Sequence, residues 1–202
     1  MIVVGLAGGI ATGKGVVARA WATSSEVVVQ DADDIVHALY RPQSALCRSL
    51  SEVFGPAILT PGGGIDRKAL GNIIFSDEGA RQRLNALVHP AVQEQYVAHA
   101  NEARAQGAQV FVVEAALLLD TPPKRALFDA FVLTEVDEQE QLRRLMRRDG
   151  LSRNEAQQRV CAQSSQEQRR RFADYVILTS GSLAQTQERA RQLLQTIRAR
   201  HA

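Results

Sequence analysis

An α/β fold is predicted for this chain: a five-stranded parallel sheet in three layers, with a helical substrate-binding insertion and a helical lid. Three observations carry the prediction. Five short apolar runs, at residues 2–6, 27–30, 110–114, 130–136 and 175–178, include several that are continuous rather than alternating, the pattern of strands buried on both faces. Helix-compatible segments lie between them, as α/β folds require. The first run feeds directly into a glycine-rich loop, Gly8-Gly9-Ile10-Ala11-Thr12-Gly13-Lys14-Gly15.

Taken in order, residues 2–6 form the first strand and 13–22 the first helix, with 27–30 as the second strand. The interval 35–107 carries no strand-like run beyond fragments near Ile58 and Ile73. It reads as helices at 37–53, 67–74, 79–88 and 90–105, broken by the loop Thr60-Pro61-Gly62-Gly63-Gly64. Strands at 110–114 and 130–136 follow, then helices at 142–148 and 154–171, a strand at 175–178, and a closing helix at 183–200 with Ser182 as its N-cap. The 202 residues suit one domain: a core of 1–34 and 108–202, a helical insertion at about 35–107 and a lid at about 142–171. In an open parallel sheet ligands bind beyond the carboxyl ends of the strands, so the insertion is placed to wall a pocket there.

Composition excludes several classes. A chain this long buries roughly 70% of its unfolded surface and needs no metal or disulfide staple. Cys47 and Cys161 have no partner at metal-ligand spacing and read as small buried apolar residues. No apolar run approaches a membrane span, and the N-terminal run lacks the basic flank of a signal peptide, so a cytoplasmic chain with no membrane partner is expected. A net charge of +2 and poor aromatic interleaving argue against nucleic acid. The sequence leaves oligomeric state undetermined.

Strand, Gly-x-x-x-x-Gly-Lys and helix together make a phosphate-binding loop. Its glycines let backbone N–H groups curl around an anion, the helix points its positive end at that anion, and Lys14 reaches the outer phosphates. Gly15 stands where Ser or Thr usually ligates Mg²⁺. At the end of the second strand, Gln30-Asp31-Ala32-Asp33-Asp34 offers carboxylates that accept a proton from an acceptor hydroxyl, hold Mg²⁺, or cap the next helix. If the strand persists, Asp31 and Asp33 project the same way. Glu114 closes the third strand as a metal or substrate ligand, or as a solvated end. Residues 142–171 hold nine arginines, among which Arg144 and Arg148 share a helix face. That pair either closes over a triphosphate or forms a solvated face. His89-Pro90 marks a junction between two helices, where the imidazole is structural or bonds a substrate.

An ordered series runs through nearly the whole chain: Gly8-Gly9-Ile10-x-x-Gly13-Lys14, Asp31-Ala32-Asp33, Phe54-Gly55, Ile65-Asp66-Arg67, and Leu84-Asn85-x-Leu87-x-His89-Pro90. It continues with Leu142-x-Arg144-Leu145-x-x-Arg148-Asp149-Gly150-Leu151-Ser152, Arg159, Ala162-Gln163 and Ala173-Asp174-Tyr175-Val176-Ile177. This series resembles the dephospho-CoA kinase family. The resemblance implies a P-loop kinase-like fold, with ATP and Mg²⁺, that adds phosphate to the ribose 3′-hydroxyl of dephospho-CoA. It implies that Lys14 and the loop, Gly8, Gly9, Ile10, Ala11, Thr12, Gly13, Gly15 and Val16, hold ATP. Asp33 would be the base, and Arg144 and Arg148 the lid cations. Asp31, Asp33, Arg67, His89, Glu114 and Leu117 would border dephospho-CoA, with Asp31 or Glu114 meeting the metal directly or through water. The chain departs from the family at Gly15, at Glu114-Ala115-Ala116-Leu117-Leu118 for Asp-x-Pro-Leu-Leu, and in lacking Asn before Ser180-Gly181; adenylate kinases are similar in having Gly after the P-loop Lys, but they usually supply Thr next, where this chain has Val16.

Overall fold

The computed structural model describes residues 1–116, 118–120 and 125–201. Five strands, β1 (Ile2–Ala7), β2 (Val27–Asp31), β3 (Val110–Glu114), β4 (Ala130–Glu135) and β5 (Tyr175–Leu178), form one sheet in the order β2-β3-β1-β4-β5. β1 is central and parallel to both neighbours, with Val4 opposite Val112 of β3 and Leu6 opposite Val132 of β4. β5 runs parallel to β4. Successive side chains on a strand face opposite sides, and β1 and β4 show why both sides are apolar. Val4, Leu6 and Val132 pack with α1 (Lys14–Trp21) and α9 (Leu183–Arg200), whereas Ala7, Phe131 and Leu133 pack with Leu119 on the other side. Each fully buried Val or Leu is worth about 1.5–3 kcal/mol, so burial on both faces holds these strands at the centre of the core. Trp21 bridges α1 to α9, its indole N–H donating to the Ala190 carbonyl at 2.6 Å.

The chain divides into two compact units, Met1–Gln30 with Ala103–Ala202, and Asp31–Glu102. The first also carries α6 (Glu138–Asp149), α7 (Arg153–Cys161) and α8 (Gln166–Arg170). The second is built from α2 (Ala32–Leu39), α3 (Ala45–Phe54), α4 (Arg67–Ser76) and most of α5 (Glu78–Ala105). Its core comprises Leu46, Leu50, Ile58, Ile65, Leu70, Leu84 and Val88. Ser44 caps α3 by accepting from Cys47 N–H at 2.9 Å, and Asp66 caps α4 through Lys68 and Ala69.

Four sequence expectations are corrected. The helix expected at 37–53 is two, because the chain turns at residues 40–44, where Pro42 breaks it. The two helices expected around Pro90 are one, α5, with Pro90 inside it. A row of apolar residues, Leu84 and Val88 before the proline and Ala91 and Val92 after it, packs on the same core and holds the helix through the lost hydrogen bond. The helix expected at 154–171 is interrupted between α7 and α8, where Ser165 and Gln168 form a capping box. Cys47 is buried as expected, but Cys161 is exposed on α7. Among the described residues no helix is long and apolar enough to cross a membrane.

Candidate active site

β1 ends in the buried pair Leu6 and Ala7 at the middle of the sheet, and the glycine-rich loop starts there. Thr12 N–H donates to the Gly9 carbonyl at 3.3 Å, closing a turn in which Ala11 holds a φ of 58°. Gly13 precedes α1 at a φ of 90°, and a Cβ on it would stand 3.1 Å from Thr179. Backbone angle and close approach both demand glycine there. Lys14 opens α1, and its Nζ donates to the carbonyls of Gly8 at 2.9 Å and Gly9 at 3.4 Å. The ammonium and the first amides of α1 thus gather at one point, the arrangement that attracts an anion.

Three threonines hold the loop to the sheet. Thr12 is fully buried; its hydroxyl donates to the Gly9 carbonyl at 2.8 Å and lies 2.8 Å from Thr134 Oγ1 at the end of β4. Thr179, just past β5, donates from Oγ1 to the Thr12 carbonyl at 2.7 Å. Arg144 on α6 closes the group by donating to Thr179 Oγ1 at 3.1 Å, to its carbonyl at 2.8 Å, and to Glu140 at 2.9 Å. Thr179→Val keeps the shape but removes a buried donor and acceptor, so urea titration is expected to show a loss of about 1–3 kcal/mol in unfolding free energy. An unchanged value would mean that the hydroxyl carries no weight in fixing the loop.

Ala11 to Val16 line a cavity of about 550 Å³ with Arg19, Glu114, Arg144, Arg148 and Thr179. Four of those side chains are cationic (Lys14, Arg19, Arg144 and Arg148), and among the described residues Glu114 is the single carboxylate in the lining. Such a surplus of positive charge, focused in a cleft, selects a polyanion. Arg148 is tied to Asp149, Nε to Oδ1 at 2.7 Å, while Arg159 reaches the other oxygen at 3.0 Å. These bonds, with Arg148 contributing most, hold the Asp149 carboxyl below its ordinary range.

Gly8, Gly9 and Ile10 do not line the cavity; other residues support them from behind. Ile10 N–H donates to Gln163 Oε1 at 2.8 Å, and its carbonyl accepts from Gln141 Nε2 at 2.8 Å. Next to them Arg169, only 2% exposed, pairs with Asp120 at 2.5 Å, and a Cβ on Gly9 would come 2.8 Å from its guanidinium. Sequence reasoning missed Thr134 and Gln141, noted Thr179 and Gln163 only within motifs, and counted Arg169 only among the nine arginines of residues 142–171. Residue type alone does not mark a buried arginine, and Thr134 reads as one more residue of an apolar run.

Asp31, Asp33, Arg67 and His89 belong to the second unit. β2 does not persist beyond Asp31, so the two carboxylates do not share a strand face: Asp31 caps α2 by accepting from Asp33 N–H at 2.8 Å, and Asp33 stands exposed in the first turn. Tyr96 on α5 is close enough to feel both charges. Burial first, then Asp33 and Asp31, push its phenol up to about 12. Arg67, exposed at the start of α4, lies 6.0 Å over the Tyr40 ring. His89 is exposed in mid-helix rather than at a junction. Leu117, expected to border the acceptor, lies outside the described residues. Among those residues no group of three or more His, Cys, Asp or Glu side chains could hold a metal alone.

The family model described as dephospho-CoA kinase matches residues 2–185. The chain belongs to the dephospho-CoA kinase family. Curated family members from Geobacter sulfurreducens and Corynebacterium diphtheriae are 40% and 37% identical over 193 and 195 residues, covering 96% of this chain in each case and 97% and 96% of theirs. A solved structure from Thermus thermophilus superposes with a TM-score of 0.80 at 30% identity, covering 96% of each chain. The Campylobacter jejuni dephospho-CoA kinase structure, at 23% identity and a TM-score of 0.73, shares the fold over 99% of this chain and 98% of its own. The dephospho-CoA kinase family phosphorylates dephospho-CoA to coenzyme A, the last step of coenzyme A biosynthesis, with ATP as co-substrate.

Proposed function

We propose that this chain transfers the γ-phosphoryl group of ATP to the ribose 3′-hydroxyl of dephospho-CoA, in the cytoplasm, giving coenzyme A and ADP. The observation that carries the reading is the cationic cavity at the end of β1, where Lys14, Arg144 and Arg148 converge on the glycine-rich loop. Phosphoryl transfer asks a protein mainly for positioning and for charge stabilisation of the equatorial oxygens. Loop amides and Lys14 would take the β- and γ-phosphates, while Arg144 and Arg148 meet charge that builds up as the bond to the leaving group breaks. Asp33 would accept the proton of the 3′-hydroxyl, since the Asp31 carboxylate is engaged in capping α2. Arg67, His89 and Leu117 belong to this reading as acceptor contacts.

Mg²⁺ usually keeps several waters and takes one or two carboxylates plus substrate phosphates. Glu114 fits that modest demand, with Asp31 as the other candidate; Gly15 contributes no ligand. A Mg²⁺ ion held there would supply positive charge to offset the negative charge of the phosphates.

The test is ADP release from the purified protein with ATP and Mg²⁺, with and without dephospho-CoA. Strong stimulation, with coenzyme A as product, is expected. Stimulation by nucleosides or nucleotides instead of dephospho-CoA would transfer the reading to another small-molecule kinase, and ATP binding without any acceptor-dependent turnover would overturn catalysis.

A further inference from the structure

Gly15 leaves a gap where the side chain after a P-loop lysine normally sits, and the structure places a charged group beside that gap. An ideal Cβ on Gly15 would stand 3.2 Å from Arg19 Nη1 and 3.9 Å from Glu114 Oε1. Arg19 lies in the last turn of α1, one turn beyond Gly15, and side chains on a helix lean toward its N-terminus. Its guanidinium is thereby laid back along α1 to the mouth of the phosphate loop, and it lines the cavity.

Two features distinguish it from the other arginines there. Arg144 is committed to Glu140 and Thr179, and Arg148 to Asp149, whereas the Arg19 guanidinium makes no hydrogen bond or ion pair among the described residues. It also points toward the positive end of α1, next to Lys14, where the helix dipole disfavours a cation. A cation kept there against the dipole is placed for an anion, and a guanidinium matches phosphate with two parallel N–H donors.

We propose that Arg19 is a phosphate-contacting residue of the nucleotide site, and that Gly15 and Arg19 act as a pair: the glycine keeps the space open and the guanidinium supplies positive charge there. The consequence is a site that holds ATP with little help from a divalent cation. This inference rests on the reading of the cavity as the ATP site.

Isothermal titration of the full chain with ATP, in excess Mg²⁺ and separately in EDTA, tests both. Wild-type protein is expected to bind in EDTA within about tenfold of its affinity in Mg²⁺. Because a charge-assisted hydrogen bond is worth about 1.5–3 kcal/mol, Arg19→Ala is expected to weaken metal-free binding by about ten- to a hundredfold and Mg²⁺-supported binding by less. Arg19→Lys should restore part of the loss, since it returns the charge without the fork. Gly15→Ser should lower metal-free affinity by crowding Arg19 while keeping or raising affinity in Mg²⁺. Arg19 is exposed, so Arg19→Ala is expected to keep the wild-type unfolding midpoint. If Arg19→Ala binds ATP in EDTA as tightly as wild type, or if wild type loses binding once Mg²⁺ is removed, the pairing is overturned and the ATP site stands. Absence of wild-type binding in both conditions removes the ATP site itself, and the pairing with it.

Discussion

Asp33→Asn is expected to lower kcat for coenzyme A formation by about 10²- to 10⁴-fold, the usual worth of a positioned general base, while ATP affinity stays at the wild-type value. The local geometry makes this a clean substitution. Asp31, not Asp33, caps α2, with its carboxylate accepting from the Asp33 N–H at 2.8 Å. Asp33 is exposed, so losing its charge costs only the interaction of a first-turn acid with the helix dipole, about 0.3–1 kcal/mol. Single-turnover ADP release beside calorimetric ATP titration separates the outcomes. Equal losses in turnover and in ATP binding would assign Asp33 to binding and reject it as the base. Asp31→Asn is the natural comparison, because asparagine caps a helix as well as aspartate does and the cap survives the change.

Arg169→Ala is expected to destabilise the fold by about 3–5 kcal/mol, because it strands the Asp120 carboxylate in a largely desolvated site. The guanidinium is 2% exposed and its partner 17%, with Nε to Oδ1 at 2.5 Å and a second bond from Nη2 at 3.1 Å. Chemical denaturation measures the loss, and Arg169→Ala should also weaken ATP binding, since the side chain supports the loop at Gly9. A change under about 1 kcal/mol would place this pair with exposed ones such as Arg171–Glu167, which carry little energy.

The sheet was legible in the sequence because a strand buried on both faces needs no partner to declare itself: Val110 to Val113 are apolar throughout, and all four are buried. The phosphate loop was legible for a similar reason, its spacing being a local requirement of backbone geometry at Gly13. Helix boundaries were read less well. In the sequence Pro90 reads as a helix start, but packing of Leu84, Val88 and Val92 on one core outweighs its missing hydrogen bond. Conversely, Ser165-Gln166-Glu167-Gln168 carried the capping-box signal that separates α7 from α8, and the arginine-rich run around it hid that signal. The supports of the loop were illegible. Thr134, Thr179, Gln141 and Arg169 reach Gly8 to Thr12 from residues more than a hundred positions away, and nothing local to each marks it as a partner of that loop.

The bond between Trp21 and Ala190 joins residues 169 positions apart. On the ribosome, the segment that carries the phosphate loop leaves the exit tunnel long before α9 has been made, and until then its indole has no carbonyl to meet and α1 has only the sheet as cover. Closing so long a stretch of chain is slow compared with forming either helix. The helix that follows the phosphate loop therefore gains its last packing partner only when α9 docks. The single tryptophan, 1% exposed once α9 has docked, provides an intrinsic fluorescence clock for that final event.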